Sequence, residues 1–347
     1  MRIESSAPTR IDLAGGTYDI WPLYLFHDRA QTINAAISLR AHATLTSRPD
    51  GRVVLVSEDT SERIEAPTVD DLDLQRLPLI ARLVRYFGAE GLELTTRSES
   101  PIGAGIAGSS AMNVAVTAAL AAWTNGRRGG QGPIEHDDRR QAMSDDELMT
   151  LAMNIEAQAI GVPTGVQDFR PALFGGISAL ELGPARVRRV PIQLDPAELT
   201  RRLVLVYTGA SRNSGMNNWE VMQRRIESDP VVVRAFDGIR DAAIGMRAAL
   251  TQQDWPDAGS HLEQEWNHRK RLAPGVSTPE IENLLGRARE AGARAGKVCG
   301  AGGGGCLFCL VDPERHAAVT EALASAGAQP LPITVEADGV RIEKRRT

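Results

Sequence analysis

The sequence predicts a mixed helix and strand protein, α+β or α/β, built as two lobes. Three observations carry that prediction. The chain has 347 residues, 42% of them hydrophobic, long enough for two packed lobes or one large domain and too mixed in composition to be disordered. Helix caps recur at wide spacing between segments that alternate in polarity. Two glycine-rich runs, 101–111 and 297–306, lie far apart in the chain, each followed by a strongly patterned apolar element.

Taken in order, Met1 to Leu13 reads as one extended segment broken at Pro8, and Ala41 to Ser47 alternates apolar and polar as a half-buried strand does. The run from Pro101 leads into a long alanine-rich helical pattern. Thr124 to Met143 holds four glycines and four arginines with little apolar content, and reads as an exposed, mobile loop, a surface insertion more than a lid. Ser144-Asp-Asp-Glu147 has the form of a capping box, opening a helix that runs to Ile160 before Gly161 and Pro163 stop it. A second box, Ser277-Thr-Pro-Glu280, opens a helix ending near Gly292. Asp312-Pro313 caps and starts a helix ending at Gly327, and Asp338-Gly339 marks a hairpin turn that closes the chain. The boundary between lobes falls after the Phe174-Gly-Gly176 turn, giving domains 1–182 and 183–347.

Charge and composition narrow the function. A net charge of -5 with no dominant basic face argues against nucleic acid and for a small-molecule partner. No apolar run approaches a membrane span, and the N-terminus lacks the apolar core of a signal peptide, so the expected location is cytoplasmic with no membrane partner. Cys299, Cys306 and Cys309 crowd one segment and read as reduced, packing thiols; His and Cys at zinc-ligand spacing are missing.

The chemistry is concentrated in four segments. Pro101-Ile-Gly-Ala-Gly-Ile-Ala-Gly-Ser-Ser-Ala111 ends in two hydroxyls at a helix start, where glycines admit close backbone approach and free N–H groups attract anions. Taken alone, it fits a tight turn as well as a phosphate site. Ala7 to Asp19 sets Arg10 and Asp19 nine positions apart around a strand-to-turn transition, and Gly161 to Asp168 sets a carboxylate twelve residues after Glu156. Lys297-Val-Cys-Gly-Ala-Gly-Gly-Gly-Gly-Cys306 is the second glycine loop. Two such loops with two spaced acids favour the anion site over the turn.

In this order, these segments resemble the GHMP kinases, the superfamily of galactokinase, homoserine kinase and mevalonate kinase. Ala7 to Asp19, Pro101 to Ala111 and Lys297 to Gly305 match its three motifs, so the resemblance covers the whole chain. Arg10 to Gly16, Gln167-Asp168 before Phe174-Gly-Gly176, and Tyr207 to Arg212 look like its fucokinase and heptose 7-phosphate kinase branch. The resemblance implies a two-lobed α+β fold, with an N-terminal domain like ribosomal protein S5 and a C-terminal ferredoxin-like sandwich. It also implies an ATP-dependent kinase for a sugar or sugar phosphate, acting as a monomer or homodimer.

Roles carry over residue by residue. ATP is expected along Gly103, Ala104, Gly105, Ile106, Ala107, Gly108, Ser109 and Ser110, and Mg2+ on Ser109 and Glu156, with Ser110 as the substitute ligand if the loop is shifted by one. Asp168 is the expected proton acceptor and Arg10 its partner facing the transferring phosphate. Asp19, Tyr18, Thr17, Gly302, Gly303 and Arg212 are the expected acceptor contacts, and Arg170 is a further candidate for a distal phosphate. The family pattern Gly-Leu-Gly-Ser-Ser is altered here, with Ala107 at a glycine position and Gly108 at a serine position. Thr17-Tyr18 and Ile20-Trp21 also depart from the branch, around the expected acceptor. A non-sugar alcohol or polyol kinase, and a non-catalytic sugar or ATP sensor, are the other readings. Retention of Ser109, Glu156 and Asp168 together speaks against the sensor.

Overall fold

The computed structural model describes residues 1–127, 144–210 and 214–345. The chain runs β1 (Arg2–Ala14), β2 (Gln31–Ser47), β3 (Val53–Ser57), β4 (Glu62–Ala66), α1 (Pro78–Phe87), β5 (Leu92–Ser98), α2 (Gly108–Arg127), α3 (Asp145–Ile160), α4 (Phe169–Phe174), β6 (Ile177–Leu182) and β7 (Val187–Pro191). It continues with α5 (Pro196–Thr200), β8 (Leu203–Tyr207), α6 (Ser214–Ile226), α7 (Pro230–Gln252), α8 (Trp255–Arg269), α9 (Pro279–Glu290), β9 (Ala293–Val298), β10 (Cys306–Val311), α10 (His316–Ser325), β11 (Gln329–Pro330) and β12 (Arg341–Arg345). The class is mixed helix and strand, as expected.

One sheet has the order β12-β1-β2-β5-β3-β4, with β6 and β7 branching from β2; the other has the order β11-β8-β10-β9. Only β3 and β5 pair in parallel among these strands. The long β2 is the organiser. It pairs with β1 along most of its length, while its other edge is shared between β6 at residues 31–35 and β5 at residues 41–47. The chain leaves the first sheet at Pro191 and enters the second at Leu203, and β12 returns to the first sheet beside β1.

Pro8 does not break β1. It lies inside the strand, where the register jumps from Pro8 opposite Arg40 to Thr9 opposite Ile37. A proline cannot donate to the ladder, so the bulge falls where a donor is missing, and the Thr9 hydroxyl donates to the Leu39 carbonyl at 2.7 Å to close it. Arg10 is the next residue. Beyond the bulge every residue of β1 is buried, because α2 covers one face of the strand and the second lobe covers the other. Ile11, Leu13 and Ile33 share one apolar cluster with Leu203, Phe308 and Leu310 of the second sheet.

α2 is packed on nearly all sides through Ala111, Ala115, Val116, Ala119, Leu120 and Trp123, its small residues letting it lie close to β1 and β2. The α3 box forms as read: Ser144 Oγ accepts from the Glu147 N–H, the Glu147 carboxylate accepts from the Ser144 N–H, and Gly161 closes the helix at φ 75°. Cys299, Cys306 and Cys309 are free and buried.

Three local expectations are corrected. The α9 cap is Thr278, whose Oγ1 accepts from the Ile281 N–H, while Ser277 donates to Glu282 at 2.6 Å; the cap therefore sits one residue later than the box predicts, with Pro279 at the first helical position. Asp312 makes no cap. It accepts from Arg202 and Arg294, and a 3-10 turn over Pro313–Arg315 precedes α10. Asp338-Gly339 does not turn a hairpin: β12 pairs with β1, and Gly339 sits where a side chain would strike the Leu173 carbonyl. The expected insertion, 124–143, begins inside α2 and from residue 128 lies outside the described residues. No helix among the described residues is long and apolar enough to cross a membrane.

Candidate active site

A cleft of about 500 Å³ opens where the end of β1, the turn after it, the 101–109 loop, the end of α3 and the start of α4 converge. One wall is the loop before α2. Gly103, Gly105 and Ala107 all have positive φ (70°, 75° and 64°), with Ala104 and Ile106 between them on the other side of the map. Such alternation turns successive N–H groups to one side as an anion-binding concavity, and the α2 N-terminus extends it. Gly108 begins that helix against Ser100, whose Oγ would lie 3.1 Å from a Cβ there. Ala107 takes its left-handed turn without being glycine, which carries a strain.

The loop is tied on both sides. Arg10 N–H donates to the Ile106 carbonyl at 3.0 Å and the Arg10 Nη1 to the Gly105 carbonyl at 2.9 Å, while the Cys306 N–H donates to the Ala104 carbonyl at 2.7 Å. A Cβ on Gly305 would lie 2.6 Å from that same Ala104 oxygen. The two glycine loops, about two hundred residues apart in sequence, are thus in direct contact.

Arg10 and Asp168 form an ion pair, with Nε and Nη2 of the arginine donating to Oδ1 at 3.0 and 2.5 Å. Arg10 is buried, and Asp168, at the junction of a 3-10 turn and α4, keeps 26% of its side chain exposed to the cleft. Burial opposes the Arg10 charge, but Asp168 and Asp12 more than offset it and raise its pKa. Glu156 reaches from α3 to the start of α2, where its two oxygens accept from Ser109 at 2.5 Å and Ser110 at 2.8 Å. Burial pushes Glu156 up to about 7 against the pull of those hydroxyls. Asp19 is 1% exposed; its Oδ2 accepts from the Gln167 N–H at 2.9 Å, and its Oδ1 has no partner. Burial, reinforced by the neighbouring Asp168 carboxylate, raises its pKa.

Below the Arg10–Asp168 pair lies a second charged group that the sequence reading missed. Asp12, Glu265, Arg269 and Lys297 are each at most 1% exposed. Lys297 Nζ donates to Asp12 at 2.9 Å and Glu265 at 3.0 Å, and Arg269 donates to the same Glu265 oxygen at 2.5 and 2.9 Å. Burial would raise Asp12, but Lys297, Arg269 and Arg10 hold it at about 2. Asp12 and Lys297 sit within recognised motifs without a side-chain signal. Glu265 and Arg269 are one helical turn apart, a spacing that ordinarily marks a solvated pair.

The expected site residues divide as follows. Arg10, Asp19, Thr17, Asp168, Glu156, Gly103, Ala104, Gly105, Ala107, Gly108 and Ser109 line the cleft. Ile106 is buried in the core behind the loop, and Ser110 is held under Glu156. Tyr18 points away from the cleft: its ring packs edge-on to Phe236 and His27, and its hydroxyl donates to the Phe236 carbonyl at 2.6 Å. Gly302 and Gly303 anchor the late loop against Val276, the Gly303 N–H donating to its carbonyl at 2.8 Å, and it is Gly300 and Ala301 that reach the cleft. Arg170 pairs with Asp146 and lies over the Phe174 ring. Trp21 is 63% exposed, and Arg212 lies outside the described residues.

The Ser109 hydroxyl and the Glu156 carboxylate are hard oxygen donors in contact beside an anion cradle. That donor set suits Mg2+, which takes few protein ligands and completes its shell with phosphate and water. Among the described residues no cluster of three or more His, Cys, Asp or Glu side chains forms a metal site.

Comparison with known proteins bears on this arrangement. Residues 76–176 match the model of the GHMP kinases N terminal domain, and residues 246–329 that of the GHMP kinases C terminal. D-glycero-alpha-D-manno-heptose 7-phosphate kinase of Campylobacter jejuni is 31% identical over 333 residues, covering 92% of this chain and 93% of its own. Mevalonate kinase of Thermococcus onnurineus is 26% identical over 99% of each chain. The crystal structure of a D-glycero-D-manno-heptose 1-phosphate kinase from Bacteroides thetaiotaomicron superposes with a TM-score of 0.75 at 25% identity, covering 99% of this chain and 100% of the other.

Proposed function

The chain belongs to the GHMP kinases and is an ATP-dependent sugar kinase, and from that premise we propose that its acceptor is a heptose 7-phosphate or a closely related sugar phosphate, phosphorylated at the anomeric hydroxyl. The observation that carries the chemistry is the Arg10–Asp168 pair, set across the same cleft from Ser109 and Glu156. The choice of acceptor is supported by the relative from Campylobacter jejuni, by the name it bears.

In this reading the triphosphate lies along residues 103–110, where the turned N–H groups and the α2 dipole replace the lysine of a P-loop. Ser109 and Glu156 hold Mg2+, which supplies charge neutralisation at the phosphates when bound. Asp168 orients the acceptor hydroxyl and accepts its proton, and Arg10, paired with Asp168, faces the equatorial oxygens of the transferring phosphoryl group. Asp19, with one unpartnered oxygen, accepts hydrogen bonds from acceptor hydroxyls, and Thr17 borders the same side.

The test is a coupled ADP-release screen with magnesium over heptose 7-phosphates, fucose, galactose, mannose, uronic acids, polyols and mevalonate. The proposal expects a heptose 7-phosphate to give the highest kcat/KM. A higher value for an unphosphorylated sugar or for a polyol overturns the acceptor assignment.

A further inference from the structure

We propose that Arg269, which belongs to neither glycine loop, is a positioning residue for the acceptor, locking the turn at Thr17 to the late loop at Gly300. The proposal rests on the reading that Thr17 and Asp19 face the acceptor. Arg269 is the last residue of α8 and is 1% exposed. One nitrogen, Nη1, donates to the Thr17 hydroxyl at 3.1 Å and to the Gly300 carbonyl at 3.1 Å. Thr17 and Gly300 both line the cleft, so a single guanidinium grips two of its borders from behind.

Thr17 needs such a grip. It has a φ of 73°, a conformation that a β-branched residue adopts only when its surroundings impose it. Two residues later comes Asp19, whose carboxylate must be aimed from this turn. Gly300 is held from its other side as well, its N–H donating to Asp12 Oδ1 at 3.1 Å. The chain makes room for the guanidinium at Gly16, where a Cβ would lie 2.6 Å from Arg269 Nη2 and 2.5 Å from Asp12 Oδ2.

The surrounding charges balance: Asp12 and Glu265 oppose Arg269 and Lys297, all within 3.5 Å contacts of one another. A buried ionic group of this kind is a poor way to gain stability, since apolar residues of similar volume do as well or better. What it provides is a planar fork of five donors fixed in orientation. Lysine carries the same charge and cannot reproduce that fork.

The test compares Arg269→Lys, Thr17→Ala and the double variant with the wild-type protein, by steady-state kinetics and by hydrogen–deuterium exchange of the whole chain. For Arg269→Lys the acceptor KM is expected to rise at least tenfold with the ATP KM within about threefold. The double variant is expected to be no worse than the weaker single one, because both remove one linkage. Exchange is expected to rise together in peptides covering 14–20 and 299–306 and to stay unchanged in 101–111. Equal rises in both KM values, multiplying effects in the double variant, or exchange confined to α8 overturn the proposal. If Arg269→Lys does not fold, Glu265→Gln, which frees the fork from its counter-ion, is expected to show the same pattern more weakly, and the same contrary results apply. A wild-type protein that phosphorylates none of the acceptors removes the functional reading, and the exchange experiment then decides the linkage without it.

Discussion

Gly165 lies so close to Asp19 that a Cβ there would overlap the Asp19 carboxylate, although the Gly165 backbone itself is extended, with φ -89°. The glycine is therefore required by space alone. It lets the chain before Asp168 pass over Asp19, and the Ile20–Gly165 bridge and the Gln167 N–H then fix the two acids across one cleft.

Gly165→Ala is accordingly expected to displace Asp19 without straining φ. Overpacking of this sort costs about 1–3 kcal/mol. Kinetics are expected to show kcat/KM for the acceptor down by about a hundredfold, as a shift of about 1 Å at a reacting centre does, while ATP binding measured by calorimetry stays within a few fold.

Asp168→Asn keeps the shape of the side chain and removes the proposed proton acceptor. The expected result is a fall in kcat of about 10²–10⁴-fold with little change in the ATP KM. Undiminished turnover would remove Asp168 from the chemistry.

Glu156 supplies a pH test. Its pKa rises from the ordinary 4.5 to about 7 on folding, so the folded state prefers the protonated form. The resulting stability is fully present below pH 4.5, is lost as pH rises through 7, and is absent above it. Glu156→Gln, which cannot ionise, is expected to be more stable than wild type at pH 8 by about 1–3 kcal/mol and equal to it near pH 4.5. Urea unfolding of the protein without nucleotide or magnesium at the two pH values checks this, and the same variant is expected to lose kinase activity.

Lys297→Met leaves Glu265 facing Arg269 alone, and Asp12 facing Arg269 and, at 3.9 Å, Arg10. Removing one partner from a buried ionic group costs about 3–5 kcal/mol. The double variant Asp12→Asn with Lys297→Met restores neutrality and keeps an oxygen for the Gly300 N–H, so chemical denaturation is expected to show it more stable than the single Lys297 variant. A double variant as unstable as the sum of both single ones would mean that the charges act independently.

Much of the site is legible along the chain because its causes are local. The α3 capping box is a contact between residues three apart, and it forms as written. The loop before α2 announces itself through glycines that its positive φ values demand, and Ser109 and Ser110 follow at the helix start, where hydroxyls are wanted. Motif order then places Arg10, Glu156 and Asp168 in one cleft. Local rules failed where a distant partner outbid them: Asp312 is drawn to Arg202 and Arg294 instead of capping, and Asp338-Gly339 follows β12 across to β1.

The side-chain directions around the turn at Thr17 belong to the tertiary structure. Tyr18 and Asp19 are neighbours in sequence, yet one points into the core against Phe236 and the other into the cleft, because the turn at Thr17 is held by Arg269 from 252 residues away. A glutamate and an arginine four apart on a helix look like a solvated pair in any one-dimensional reading. Only when α8 packs on β1 and β9 do Glu265 and Arg269 meet Asp12 and Lys297 in direct contact. Backbone conformation and hydrogen-bond capacity are written residue by residue, so the chain alone decides the shape of the loop before α2. Burial is a property of what packs against a residue, and that is why the charged support beneath the cleft is decided by the fold.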